Sequence, residues 1–372
     1  MTPAGRELPD QRRAMILSAL VRNGSGRIAD LARSLNVTPT TVRRDLALME
    51  AEGLIERLHG GAKAIVGPDS PEGAERTPAG ATGWSGRPGA RLAMFVPALD
   101  FYWPTVARSA EATARRHGLQ FLLRGGSYES VDERPTLRPI YDSPDCVGVI
   151  TAPNLDGPQA DEVLEWIASQ ATPSVLVERQ AVLASTNLPL ESVTTDFPLG
   201  AAMAVRHLLG LGHRRLALVS TPTSPHAAGI ASGFSRTCAE QGLSAKRAPV
   251  FDIPDNRQAG FTAALEDVIT RLTTEGVTGL LVHSDREAMN LAQQLEARGL
   301  AVPRDISLVT YDDEVASLFS PALTAIRPAR EAIGRTAVDL LSARLADPGR
   351  TVHRVVISPE LFVRDSTAPP PV

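Results

Sequence analysis

Several things are scarce in this 372-residue chain, and each scarcity removes a class of protein. Cysteine occurs twice, at Cys146 and Cys238, far apart and in no Cys-x-x-Cys pair. A disulfide scaffold and a cysteine zinc site are therefore excluded, and a reducing compartment is expected. No apolar run approaches the ~18 residues that would cross a bilayer, and the N-terminus has no apolar signal core. A soluble, cytoplasmic protein without membrane partners is expected. Lysine is confined to Lys63 and Lys246, and aromatic residues make up only 4% of the chain. Phosphate-cradling Gly-x-x-x-x-Gly-Lys, a dinucleotide Gly-x-Gly-x-x-Gly after a strand, and a Gly-x-Ser-x-Gly elbow are all missing. The seven histidines are scattered without metal-ligand spacing. No catalytic residue, no metal and no cofactor is expected.

Charge is low but uneven. Net charge is −4, which excludes a uniformly basic nucleic-acid coat. Through Val66 there are ten basic against seven acidic residues, so that segment carries +3 and the remainder −7. A modestly basic head on an acidic body suits DNA contact by one domain only.

Within that head, Val37-Thr38-Pro39-Thr40-Thr41-Val42-Arg43-Arg44-Asp45-Leu46 reads as a short helix built for a DNA groove. Thr38 is a good N-cap, and Pro39 suits the first helical position, where its missing N–H is harmless. At about 100° per residue, Val42, Leu46 and Met49 fall on one apolar stripe. Thr40 and Arg44 then point the opposite way, with Thr41 and Arg43 on the flanks. Guanidinium and hydroxyl groups suit guanine edges, thymine methyls and phosphates. Upstream, residues 11–21 form an amphipathic helix with Ile16, Leu17, Leu20 and Val21 inward, and residues 27–35 form a second short helix before a turn at Asn36. That succession is a helix-turn-helix. Downstream, Gly53 ends the groove helix. Residues 54–58 and 62–66 bracket His59-Gly60-Gly61 as a hairpin wing, from which Arg57, His59 and Lys63 can reach DNA.

Val37-Thr38, Thr41 to Leu46, Glu50, Gly53-Leu54-Ile55, Arg57 and His59-Gly60-Gly61-Ala62 resemble the signature of the DeoR-type winged helix-turn-helix. The resemblance covers residues 11–66 and implies binding to double-stranded operator DNA. Residues 1–9 read as a loose arm. Residues 67–91, crowded with Gly, Pro, Ser, Thr and Glu, read as a flexible linker.

From Leu92 the pattern alternates between buried strand and helix, and a second such run begins at Ser192-Val193-Thr194-Thr195. Two runs imply two doubly wound parallel sheets with a cleft between them. Val193-Thr194-Thr195-Asp196, Gly200, Ala204, His207-Leu208 and Leu211 to Arg215 resemble the LacI-type sensor domain, as do residues 299–313 and Pro321-Ala322-Leu323-Thr324. The resemblance spans about residues 91–364. It implies a periplasmic-binding-protein-like fold with three crossovers between lobes, the chain returning to the first lobe after about Val315 and re-entering the second near Val352. The expected organisation is thus a winged helix-turn-helix over 1–66, a linker over 67–91, a two-lobed sensor over 92–364 and a disordered tail over 365–372.

In open α/β sheets, ligands bind beyond the carboxyl ends of the strands. After the first strand come Asp100, Phe101, Tyr102 and Trp103, whose aromatic faces can stack on a sugar or base. By resemblance, Asp100, Tyr102 and Trp103 match ligand-contact positions. After the fourth strand, Glu178-Arg179 stands where the fold usually has Asp-Arg; a carboxylate and a guanidinium can grip neighbouring oxygens. Asp312, closing the strand over 307–310, is another expected hydroxyl acceptor. Asp285 is expected to cap the helix starting at Arg286, and Asp196 to hold the start of the helix containing Gly200. Two departures concern the second lobe. Ile230 stands where the family commonly has Arg, and Ser284, taken as a ligand residue, stands where it commonly has Asn. The expectation is a homodimeric, ligand-responsive transcriptional regulator with a sugar-like effector. A transporter's solute-binding protein is disfavoured by the winged head and missing export signal. A sugar-processing enzyme is disfavoured because residues 91–364 do not resemble one.

Overall fold

The computed structural model describes residue 16 and residues 26–34, 37–51, 55–58, 61–64, 89–128, 130–255 and 258–371. The expected N-terminal arm, the helix over 11–21 apart from Ile16, the turn at Asn36, Gly53, the wing tip at His59 and the linker through residue 88 lie outside the described residues. The chain divides into two compact units, Met1–Ala81 and Thr82–Val372.

In the first unit, β1 (Gly26–Arg27), α1 (Ile28–Ser34), α2 (Pro39–Ala51), β2 (Ile55–Leu58) and β3 (Gly61–Ala64) follow in order. The wing strands pair antiparallel, with Leu58 opposite Gly61, and β1 joins β3 on its other edge. Arg27, expected to be helical, is thus a strand residue: pairing with Gly61 satisfies backbone groups that a helix N-terminus would leave open. Ile16, Leu31, Val42, Leu46, Met49, Ile55 and Ala62 are buried together as one core.

The second unit holds two six-stranded sheets. Its chain order is β4 (Arg91–Val96), α3 (Tyr102–Arg116), β5 (Gln120–Gly125), α4 (Arg134–Tyr141), β6 (Cys146–Thr151), α5 (Ala160–Ala168), β7 (Ser174–Val177) and β8 (Ser192–Thr195). Then come α6 (Phe197–Gly210), β9 (Leu216–Ser220), α7 (Ala227–Glu240), β10 (Val250–Asp252), α8 (Phe261–Thr274), β11 (Gly279–Val282), α9 (Asp285–Glu296) and β12 (Ser307–Tyr311). The chain closes with β13 (Thr324–Arg327), α10 (Arg330–Ala346), β14 (Arg354–Ile357) and β15 (Glu360–Phe362). The first sheet is ordered β14-β8-β7-β6-β4-β5 and is wholly parallel; the second is β10-β9-β11-β12-β13-β15, with only β15 antiparallel. Each sheet is covered on both faces. One apolar cluster joins the first sheet to α3 and α10 and another to α4 and α5. The second sheet packs against α6 and α7 on one face and α8 and α9 on the other.

Three connections cross between lobes, but not where the sequence placed them. β8, expected to open the second lobe, lies in the first sheet between β7 and β14. Crossings therefore fall at Asp196, at Pro328-Ala329, and at Ser358-Pro359 between β14 and β15. Val315 and Val352 are corrected accordingly: β13 still belongs to the second sheet, and β14 must finish pairing with β8 before the chain leaves. The return helix α10 lies close on α3, where a Cβ on Gly334 would stand 2.2 Å from Val106 O. Gly233 does the same for α7, against Pro198 O at 2.3 Å.

The expected disordered tail is instead ordered through residue 371. Ser366 is fully buried; its Oγ accepts from Thr324 N (2.7 Å) and donates to Leu308 O (2.6 Å), while Ser366 O accepts from Leu308 N (2.8 Å). Ala368 O accepts from Ser307 Oγ (2.9 Å) and pairs with His213 Nε2 (2.9 Å). The polar tail thus satisfies the start of β12. Ser366→Ala leaves a buried amide and a carbonyl without that partner and is expected to lower stability by about 2 kcal/mol. Urea denaturation of the two proteins measures this; an unchanged midpoint and slope would show the tail to be dispensable.

Among the described residues, no helix is long and apolar enough to cross a membrane.

Candidate functional sites: the groove helix and the interlobe cleft

The groove helix α2 begins as its residues dictate. Thr38 Oγ1 accepts from Thr41 N at 3.2 Å and lies 2.9 Å from Thr41 Oγ1, so the cap uses both hydroxyls. Pro39 is the first helical residue. Val42 and Leu46 are fully buried and Met49 nearly so, while Thr38, Thr40, Arg43 and Arg44 are exposed and Thr41 half-buried. Thr40, Arg43 and Arg44 therefore share an open polar surface. Thr38 and Thr41 spend part of their hydrogen-bonding capacity on the cap. Arg57 and Lys63 lie on the paired wing strands, opposite Ala62 and Glu56.

In the second unit, parallel strands bring their carboxyl ends to one edge of each sheet, and the two edges meet. Arg286, in the first turn of α9, stacks its guanidinium 3.5 Å from the ring centre of Phe101, which precedes α3. Arg330 lies 3.0 Å from Glu314 and 5.2 Å from the centre of the Tyr102 ring. The Arg286–Phe101 and Arg330–Glu314 contacts join residues of different lobes.

On the first-lobe side, Glu178 is held by its own lobe. Its Oε1 accepts from Tyr102 Oη and from Thr195 Oγ1 (2.8 Å), and its Oε2 accepts from Thr195 N (2.8 Å). Burial pushes its carboxyl up from the ordinary value and these donors pull it back. Little capacity remains for vicinal hydroxyls, so Glu178 acts chiefly as the anchor of Tyr102. Arg179 is 4% exposed and, among the described residues, donates only to carbonyls, of Pro153 (3.0 Å) and of Glu178 (2.8 Å). Burial lowers its pKa, and no ion pair to it occurs among the described residues. Trp103, expected at the ligand, is 2% exposed in the core beneath α3, edge-on to Tyr102, and its indole N–H donates to Tyr128 Oη at 3.0 Å. It wedges the helix onto the sheet. Asp100 is exposed.

The second-lobe side corrects two expectations. Ser284 is the N-cap of α9, and both its N–H (3.0 Å) and its Oγ (2.8 Å) donate to Glu287. Asp285 does not cap; it is helical and accepts from Thr310 Oγ1 and from the amides of Glu314, Val315 and Ala316, tying down the loop after β12. Ile230 is fully buried between α7 and the sheet, an apolar replacement that packs. Asp196 caps α6 through Leu199 N (2.9 Å), as expected. Asp312 has φ +95° and 21% side-chain exposure, and desolvation together with Asp285 pushes its carboxyl up to about 7. Its Oδ2 is 3.9 Å from His283 Nε2, an imidazole that burial pushes down to about 4.

Three residues at this edge escaped the sequence reading. Tyr128, in the loop after β5, accepts the indole N–H of Trp103 at 3.0 Å. His226 stacks on Phe197 at 4.0 Å. Arg330, the third, reaches from α10 to Glu314. The strand-end rule would have nominated Tyr128 and His226, since both follow a strand's carboxyl end; nothing local marks Arg330.

The chain is similar to known proteins along both units. Residues 12–66 match the DeoR-like helix-turn-helix domain, and residues 205–367 the periplasmic binding protein-like domain. The arabinose metabolism transcriptional repressor of Geobacillus stearothermophilus is 24% identical over 345 residues, covering 91% of this chain and 90% of the repressor. The transcriptional regulator DegA of Bacillus subtilis is 24% identical over 270 residues, 72% of this chain and 77% of DegA. A solved LacI family transcriptional regulator from Mycobacterium smegmatis, 26% identical, covers 75% of this chain and 99% of its own with a TM-score of 0.62. Another from Enterococcus faecium, with bound ribose, is 22% identical at the same coverage and TM-score. The protein is a DNA-binding transcriptional regulator, and its second unit is similar to that of LacI family regulators. Its particular form joins a DeoR-like winged head to a periplasmic-binding-protein-like sensor.

Proposed function

We propose that this regulator represses transcription by binding, as a homodimer, two half-sites about one helical turn or a multiple apart, and that a sugar or related polar metabolite bound between the lobes controls it. The observation that carries the effector reading is the meeting of the two strand-end edges at Asp312: Arg330 of the first lobe holds the Asp312 carbonyl and lies 5.2 Å from the centre of the Tyr102 ring, while Arg179 follows β7 on the first-lobe side. Among the described residues the Arg179 guanidinium is bonded only to carbonyls and the Asp312 carboxyl has no partner nearer than His283 at 3.9 Å, so the two can grip different oxygens of one polyol. Asp100 and Tyr128 add polar contacts at the rim, whereas Tyr102, Trp103, Glu178 and Ser284 shape the wall through bonds to their neighbours. On the DNA, Thr40 and Arg44 read base edges, Arg43, Thr38 and Thr41 fix the helix on the backbone, and Arg57, His59 and Lys63 carry the wing to phosphates. Effector binding favours one arrangement of the lobes and so alters the spacing of the two heads.

The reading is tested by operator titrations at fixed salt with D-ribose, L-arabinose, D-xylulose, sugar phosphates and nucleosides. One of these is expected to change operator affinity at least fivefold and to raise the thermal midpoint without being consumed. If none changes either quantity, the effector assignment fails; turnover of a probe would favour an enzyme.

A further inference from the structure

Arg330 opens α10, a helix that belongs to the first lobe: Ser109 Oγ of α3 donates to Glu331 O at 2.6 Å, and His117 Nε2 lies 3.2 Å from Asp339. Its side chain nevertheless reaches second-lobe residues. The Nη2 donates to the backbone carbonyl of Asp312, and the Nε lies 3.0 Å from Glu314 Oε1. The same guanidinium sits 5.2 Å from the ring centre of Tyr102, whose hydroxyl is bound to Glu178. Only 7% of Arg330 is exposed.

Asp312 gives this arrangement its meaning. At φ +95° it occupies backbone territory that side-chain-bearing residues rarely hold unless their surroundings impose it. Its N–H donates to Ile326 O at 2.9 Å and its carbonyl accepts from Arg330. Both backbone groups are thus fixed, and the carboxyl is left to turn toward the cleft.

We propose that Arg330 is a positioning residue for the effector site: from the first lobe, beside the Tyr102–Glu178 pair, it reaches across to fix the Asp312 backbone of the second lobe in its left-handed state, thereby aiming the Asp312 carboxyl. The proposal rests on Asp312 receiving the effector. A planar guanidinium is needed because three directions are served at once, a carbonyl, a carboxylate and an aromatic face, which an ammonium cannot match.

The groups acting on Asp312 come from every neighbouring element. Asp285 and Glu287 of α9 raise its carboxyl, His283 follows β11 at 3.9 Å, Tyr311 precedes it, and Tyr128 approaches from the first lobe. Arg330 is the group that lowers it.

The test needs no effector. The full chain is labelled with ¹³Cγ-aspartate, the Asp312 resonance is assigned by its loss in Asp312→Asn, and its titration is followed in wild type, Arg330→Gln and Arg330→Lys. Removing a cation at this range is expected to raise the Asp312 midpoint by about one pH unit or more in Arg330→Gln. Arg330→Lys, which keeps the charge but not the fork, is expected to raise it by less and to shift the Asp312 and Asp313 backbone amide resonances. If Arg330→Gln does not fold, the lysine variant decides alone. An Asp312 titration and amide resonances unchanged in the folded variants, with only a lower thermal midpoint, overturn the proposal by leaving Arg330 a structural role. Sugar titrations of the same proteins separate the two claims. Should no probe bind wild type, the effector reading fails while the Asp312 titration still judges Arg330. Should a probe bind wild type, Arg330→Gln is expected to weaken it at least tenfold, and equal affinity overturns the positioning role.

Discussion

Arg44→Ala is expected to lower operator affinity about 10- to 100-fold at fixed salt and to relax the sequence preference at one position of each half-site. The guanidinium is exposed on the polar side of α2, opposite Val42, Leu46 and Met49. Alanine is the strongest helix former, so the substitution removes contact chemistry and leaves the helix intact. Arg43, one residue round the helix on the flank, is expected to behave differently. Arg43→Ala should weaken all sequences alike and reduce the salt slope by about one. Fluorescence anisotropy against operator and scrambled duplexes across a salt series measures both. Unchanged affinity and unchanged preference for Arg44→Ala would place the DNA contacts elsewhere.

The Asp312→Asn variant should be more stable than wild type at about pH 8, by about 2–3 kcal/mol, and a poorer sensor by about 10- to 100-fold in effector affinity. The stability follows from the folded carboxyl sitting at about 7, above the ordinary 3.8. The folded chain binds this proton more tightly than the unfolded one. Asp312 therefore contributes its stability fully below about pH 4 and loses it as pH rises through about 7. Since 21% of the side chain remains exposed, the full shift is an upper bound on the gain. Asparagine also tolerates positive φ better than most residues, so the backbone can stay as it is. His283 carries the opposite sign: its folded value, about 4, lies below the ordinary 6.5. Its contribution is complete above pH 6.5 and is lost as pH falls through about 4. The two slopes oppose each other in wild type. Removing Asp312 should therefore expose a stability that climbs between about pH 4 and 6.5, visible in denaturant midpoints collected across that range. A variant less stable than wild type at pH 8 would mean that the carboxylate is paired rather than stranded.

The winged head was legible because its determinants are local. Thr38-Pro39 caps a helix, and Val42, Leu46 and Met49 recur at helical spacing; each instruction acts within a turn or two of chain. The central strands were legible for the same reason, being short runs rich in β-branched and aliphatic residues: Ser174–Val177, Ser192–Thr195 and Gly279–Val282 have the expected ends. Elements with weak or mixed signals were not. Helix α4 carries Pro135 and Pro139 yet is helical, because Leu137, Ile140 and Tyr141 are buried against the first sheet. Edge strands β10, β14 and β15 have three or four residues each and are partly exposed, so no period marks them.

The sequence by itself determined a capped helix with one apolar and one polar face, a run of parallel strands, and the strand-end edges where the lobes meet, since capping, periodicity and strand-end chemistry are properties of neighbouring residues. Only the tertiary structure decided which sheet receives β8, that the polar tail completes β12, and that Glu178 and Trp103 spend their polar atoms on their own lobe while Asp312 does not. Those outcomes turn on which donors and acceptors meet across 76 or 18 residues of chain, as Tyr102 meets Glu178 and Arg330 meets Asp312. A buried polar group must find its partner wherever the fold provides one, and the provider has no mark in the local sequence.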